Sequence, residues 1–372
     1  LEYQREVNKI VAILGSKTPH IQNMAVGGVS NPVDPNSPAS LNMDKLYEIK
    51  ARIDEINNFV KKVYLVDVAA VGAYYANWTK YGAGVLNYLS VPDLPLDTKG
   101  GNCLLPGGYI PNADLNAFEE FSGFNDSLFK KNVKECIKHS WYDGDWDRHP
   151  FVEETVPNYT GFNENGKYSW IKAPNFKDQP AQVGPLANVL CMYAAGHAPT
   201  KKYVHTVQET ISSLIKTQIP LTALNSTIGR HAGRAVRAAV LTDTLKTSWR
   251  DLVENIAQGD YNICNQPSFP KGEIKGFGFH EAPRGALSHW IIIKDGKIEN
   301  YQCVVPSTWN AGPRSKDGEK GPYEASLVGN PMAEPDKPLE VLRTIHSFDP
   351  CLACAIHMLD PHSQEIIKVK AV

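Results

Sequence analysis

Two thiols and an imidazole recur at intervals of three near the end of the chain, in the stretch His346-Ser347-Phe348-Asp349-Pro350-Cys351-Leu352-Ala353-Cys354-Ala355-Ile356-His357. Cysteines three apart can turn both sulfurs to one point, and a histidine three further on shares that side of a helical turn. Pro350 suits the first position of a helix. Asp349 would then sit at the cap, its carboxylate accepting backbone N–H groups. Thiolates at a helix start are stabilised as anions and suit a soft metal. A single C-x-x-C leaves other chemistries open. Structural zinc takes four ligands, usually from two such pairs or from a pair with histidines. Cys103, Cys136, Cys191, Cys264 and Cys303 form no second pair. The stretch therefore stays open to a metal site, zinc-binding included, to a redox module, or to two buried apolar thiols.

The elements that must position this stretch are mostly helical. Val7, Ile10, Val11 and Leu14 recur at helical spacing, with Gly15 able to close the turn. Leu46, Ile49, Ile53, Ile56, Val60 and Val63 form one stripe of a helix over 42–66, and a second helix runs on to about 80. Residues 90–112 read as loop with short strands, and 113–139 as a helix broken at Gly123. Residues 143–182 are irregular and aromatic-rich, with a hairpin turn at Asn165-Gly166 between Phe162 and Tyr168. Helices resume at 186–196, 200–217 and 222–258. On the last, Arg230, Arg234 and Arg237 share one side, either solvated or buried against carboxylates. Residues 276–285 read as loop. Two strand-like runs follow, joined by Asp295-Gly296, and a short helix over 338–346 leads into the organising stretch.

With 372 residues, 42% hydrophobic and 21% charged, the chain can bury a large core, and its net charge of −2 gives no pull toward nucleic acid or anionic lipid. It has no apolar run of about 18 residues and so no direct membrane span. Seven scattered cysteines are not a disulfide framework. The opening lacks Met and reads as mid-helix, so a preceding part is expected. We expect one intertwined domain over 1–372, mainly α (α+β): a multi-helix bundle core with small antiparallel β hairpins.

D-P-C-x-x-C-x-x-H resembles the signature of the large, catalytic subunit of nickel-iron hydrogenases. Further stretches agree in the family's order: Pro19-His20-Ile21-Gln22 with Gly27-Gly28, Gly184-Pro185-Leu186-Ala187, Gly229-Arg230 with Arg234, Ala282-Pro283-Arg284-Gly285 with His289, Val305 through Asn310, and Gly321-Pro322-Tyr323-Glu324. The likeness spans nearly the whole chain.

The resemblance implies a Ni-Fe centre held by four thiolates, its iron carrying CN and CO ligands. Cys351 would be a terminal nickel ligand and Cys354 would bridge the two metals. His357 would ligate a nearby magnesium, Mg, together with the backbone carbonyl of Cys303. Arg284 would hold its guanidinium over the open metal position, with Asp349 as its supporting carboxylate. Pro306 and Ser307 would contact the diatomic ligands, Ser307 donating to a cyanide nitrogen. The reaction implied is heterolytic cleavage or formation of H2, a proton passing to the Cys351 thiolate.

Electrons would leave through an iron-sulfur small subunit, making a heterodimer. The resemblance also implies nickel-insertion factors and a maturation endopeptidase that cuts after His357, removing 358–372. It places the protein in the periplasm, or at the membrane through partner subunits. An H2-sensing regulatory relative and the quinone-binding subunit of respiratory complex I are the alternatives within the wider group. The terminal C-x-x-C argues against the second.

Overall fold

The computed structural model describes residues 2–351 and the backbone of two strands at 355–359 and 365–370. Helix takes 43% and strand 19% of the structure, so the fold is mainly α with small sheets. Two compact units form, Leu1–Val71 with Ala235–Lys271, and Gly72–Arg234 with Gly272–Val372. Each draws on two separate stretches, so neither closes on a continuous piece of chain.

In the first unit, helix Glu2–Gly15 and helix Met43–Phe59 pair, with Tyr3 stacked on Phe59 at 3.8 Å. Asn42 caps the second helix by accepting from the Lys45 amide. Leu46, Ile49, Ile53, Ile56 and Val60 are buried as their spacing predicts. Val63 departs from the stripe and is exposed. A π-helical turn at Val60–Tyr64 lies between the helices, and its wider turn rotates the following side chains off the apolar line.

The second unit holds the larger core. Phe129, Phe176, Trp290 and Trp309 are almost fully buried there, with Phe277 packed against Trp290 at 4.3 Å. A three-stranded antiparallel meander, Glu273–Ala282, Gly285–Lys294 and Lys297–Val304, supplies one wall. The sequence reading of 276–285 as loop is corrected here. Gly276 and Gly278 alternate with Phe277 and Phe279 at the strand period, so the aromatics face the core in turn. Asp295 and Gly296 make the expected two-residue turn, both with positive φ (49° and 79°).

Two other expectations fail for local reasons. Residues 113–139 contain a 3-10 turn, Leu115–Ala117, and a single short α-helix, Ser127–Asn132, followed by strand Val133–Cys136. Asn112 and Ala113 adopt positive φ, and Asp114 and Asp126 turn their side chains back onto nearby amides. Those contacts compete with a continuing helix. At Asn165-Gly166 a tight turn forms without flanking strands. The Tyr168 amide bonds the His139 carbonyl instead of a hairpin partner.

The helices at Pro185–Ala194, Ala198–Ile215, Thr227–Ala257 and Leu339–His346 fall where the sequence places them.

Candidate active site

Phe348 anchors the start of the organising stretch. It is 3% exposed, and the Arg230 guanidinium lies over its ring at 3.8 Å. Arg230 is itself buried. Its Nε donates to Ser347 Oγ at 2.7 Å and its Nη2 to the Gly82 carbonyl at 2.6 Å. Arg234 donates to the Ser347 carbonyl at 3.0 Å. Of the two expected fates of the arginine row, burial holds for Arg230, but its partners are oxygens of hydroxyl, carbonyl and amide groups rather than carboxylates. Burial pushes its guanidinium down to about 9, which leaves it cationic at neutral pH. A buried cation stacked on an aromatic ring fixes the chain immediately before the C-x-x-C motif.

Asp349 follows with φ 57°. This corrects the reading of Pro350 as the first residue of a helix. A helix cap takes an extended conformation, whereas Asp349 is left-handed. No helix begins at Pro350, and residues 355–359 form a strand paired with 365–370. The Asp349 carboxylate therefore finds a different partner. Arg284 Nη2 lies 3.2 Å from Asp349 Oδ1, and Arg284 Nε donates to the Asp349 carbonyl at 2.7 Å. Two contacts from one planar group fix both its position and its rotation.

Arg284 occupies the two-residue turn between the first two meander strands, where Ala282 pairs with Gly285. That turn rests on main chain. Gly285 has φ 122°, and a Cβ there would fall 2.4 Å from the Gly184 amide nitrogen. Only glycine admits this approach. Asn310 then holds the adjoining Val183 by both backbone groups, accepting from its N–H at 3.1 Å and donating to its carbonyl at 3.0 Å.

Cys351 is exposed and its thiol is free. Its amide donates to Ser307 Oγ at 3.2 Å. Ser307 and Pro306 are buried at the start of helix Pro306–Ala311, with Pro306 in the first turn where its missing N–H costs nothing. The structure thus brings together Arg284, Asp349, Cys351 and Ser307, with Pro306 adjacent to Ser307. Cys303 lies apart in its contacts. Its thiol is exposed and sits 3.3 Å from His289 Nδ1, its cross-strand partner. Cys354 and the His357 side chain lie outside the described residues.

The donor set can be tested against the implied metals. Among the described residues no three His, Cys, Asp or Glu side chains gather into a metal-binding group. The described thiol that is present is of the right kind: soft, open and fixed through its backbone beside a held cation. Cys351 therefore fits as one member of a thiolate ligand set that needs further members. The residues that sequence reasoning left without a role are Asn310, Phe348 and Gln182. Gln182 is fully buried and its Oε1 faces Arg230 at 3.4 Å. Asn310 and Arg230 lay inside recognised motifs, but nothing in their spacing told what they hold.

The family model described as nickel-dependent hydrogenase matches residues 1–357. The Hydrogenase-2 large chain of Escherichia coli K12 is 48% identical over 373 residues, covering all of this chain and 66% of that protein. The uptake hydrogenase large subunit of Bradyrhizobium diazoefficiens is 41% identical over 399 residues, covering all of this chain and 65% of that protein. Among solved structures, a reduced, active form of the Ni-Fe-Se hydrogenase from Desulfomicrobium baculatum superposes with a TM-score of 0.78 at 31% identity. It covers 94% of this chain, which spans 66% of that one. The chain thus spans just under two thirds of these relatives. With its whole length aligned to hydrogenase large chains and its backbone following their structures, this chain belongs to the nickel-dependent hydrogenase family.

Proposed function

We propose that the chain works as a catalytic subunit of a nickel-iron hydrogenase, an oxidoreductase interconverting H2 with protons and electrons. The observation that carries this reading is the fixed Arg284 guanidinium, held twice by Asp349, two residues from the open thiol of Cys351. When bound, the Ni-Fe centre, with CN and CO on its iron, supplies the redox-active metals at which H2 is split heterolytically.

The chain's own residues act around that centre. The Cys351 and Cys354 thiolates are its ligands here, and Cys351 accepts the proton. Arg284 presents a preorganised cation that cannot relax away, because its fork is spent on Asp349. Ser307 accepts the Cys351 amide and still has its own O–H to donate toward a diatomic ligand. Pro306 packs beside it. His357 and the carbonyl of Cys303 hold magnesium in this reading. Electrons pass to an iron-sulfur small subunit in a periplasmic heterodimer. Nickel-insertion factors load the site, and an endopeptidase then cuts after His357. That the family match stops at residue 357 supports the last point.

Infrared spectroscopy on the protein purified with its small subunit tests the reading. Bands in the cyanide and carbon monoxide window that shift under H2 are expected, with nickel and iron both present by elemental analysis. Zinc alone, with no such bands in protein shown by mass to be cut after His357, would overturn it.

A further inference from the structure

Glu135, Glu153 and Lys172 form a buried ionic cluster that the hydrogen chemistry does not use. Glu135 comes from strand Val133–Cys136, Glu153 follows the 3-10 turn Pro150–Val152, and Lys172 precedes strand Ala173–Phe176. Their exposures are 2%, 4% and 8%. Lys172 Nζ lies 2.6 Å from Glu153 Oε2 and 3.4 Å from Glu135 Oε2.

Charge decides the state of this cluster. Two ionised carboxylates and one ammonium leave a net negative charge in a dry site, which is strongly unfavourable. Both carboxyl groups lie against the single Lys172 ammonium, so the charge of each opposes ionisation of the other. One cation balances one carboxylate, and the second is neutral only if it carries a proton. Glu153 Oε1 is buried and receives no donor. A proton there turns it from an orphaned acceptor into a donor.

The cluster also joins separate parts of the unit. Lys172 Nζ donates to Gln302 Oε1 at 3.2 Å, and the Thr155 hydroxyl reaches the same oxygen at 3.4 Å. Asn300 Nδ2 donates to the Glu153 carbonyl at 3.2 Å. Gln302 and Asn300 belong to the last meander strand. Between Glu135 and Lys172 runs the aromatic-rich segment, whose Tyr159, Phe162 and Trp170 are exposed.

We propose that Glu135 and Glu153 share one proton beside Lys172, and that this proton is a pH-operated latch fastening the 143–172 segment to the meander. Burial first, and then the Glu135 charge, raise Glu153 from 4.5 to about 9. Burial raises Glu135 as well. Lys172 is weakened as an acid–base partner by burial but raised overall by the two carboxylates. Tyr142 is the other titratable group facing the cluster, and burial raises it. Arg148, opposite Glu135 in strand register, is exposed and lies over the Trp146 ring. The groups on the meander side, Gln302 and Asn300, are neutral, as is Thr155.

The folded protein keeps the Glu153 proton up to about pH 9, whereas an ordinary glutamate loses it near 4.5. The pair's contribution to stability is complete below the lower value, falls as pH rises through this window and is gone above about 9.

Hydrogen-exchange mass spectrometry on the whole protein with its partner subunit, over a series from about pH 7 to 10, tests the latch. In wild type, peptides covering 143–172 lose protection through about pH 9 while helix Pro185–Ala194 stays protected. Glu153→Gln keeps a neutral donor, and Glu135→Gln leaves a balanced Lys172–Glu153 pair, so both variants hold their protection across the series. Infrared difference spectra of wild type should lose a protonated-carboxyl band over the same window, which serves if either variant fails to fold. No loss of protection in wild type, equal loss in wild type and a folded variant, or no carboxyl band at neutral pH would overturn the proposal.

Discussion

Ser307 and Asn310 stand one turn apart on the short helix Pro306–Ala311 and brace the site from two directions. Ser307 Oγ accepts the Cys351 amide, while Asn310 clamps Val183, whose neighbour Gly184 lies against the turn that carries Arg284. One rigid turn of helix thereby sets the spacing between the thiol and the guanidinium.

Replacing the two braces should separate positioning from stability. Asn310→Ala leaves both backbone groups of Val183 buried and unpaired, and we expect a loss of about 2–4 kcal/mol in thermal or denaturant unfolding. Ser307→Ala frees an amide next to an exposed residue, which water can satisfy, so its cost should stay near or below about 1 kcal/mol. Its effect should appear in H2 turnover at equal nickel content. If both variants lose the same stability, the division of labour is wrong.

Arg284→Lys keeps the charge and gives up the fork. A single ammonium cannot hold both the Asp349 carbonyl and Oδ1 in the same geometry. We expect H2-dependent dye reduction to fall about a hundredfold, within the range found for removing one preorganised charge-stabilising donor. Asp349→Asn retains an acceptor oxygen and should fall less. Equal turnover in wild type and Arg284→Lys would show that charge alone suffices.

Gly285→Ala tests the contact on which the Arg284 turn rests. The added methyl would meet Val183 Cβ at 2.7 Å as well as the Gly184 nitrogen, at a φ that disfavours any side chain. Strain of about 1–3 kcal/mol is expected, together with reduced turnover. An unchanged melting temperature would mean that the meander shifts freely away from Val183.

His149 should set an acid limit. Its Nε2 faces the Lys130 carbonyl at 2.7 Å, and its Nδ1 accepts the Phe151 amide at 3.2 Å. That pairing demands the neutral ring. Burial lowers its pKa below the ordinary 6.5. The unfolded chain therefore takes up the proton first, so the stability owed to neutral His149 is present above 6.5 and is lost as pH falls through the lowered value. Melting temperatures of wild type should drop on acidification more steeply than those of His149→Gln. Parallel curves would remove His149 as the cause.

Much of the architecture was legible in the residue order because it is local. Helical spacing located Met43–Phe59, Ala198–Ile215 and Thr227–Ala257, and Asp295-Gly296 marked its own turn, since in each case near neighbours in sequence decide the backbone. The motif resemblance likewise pointed to the hydrogenase family, which the match over 1–357 bears out. What the residue order did not reveal depends on contacts between distant segments. Gly276–Phe279 became a strand because Phe277 packs on its cross-strand partner Trp290 and Phe279 meets Phe129 from a separate segment of the core. Asp349 left the helical conformation and met Arg284, 65 positions away, and Arg230 was buried on Phe348 although its helix alone suits a solvated face equally well. Spacing along a chain fixes which residues share a face, but only the packed fold decides what that face meets.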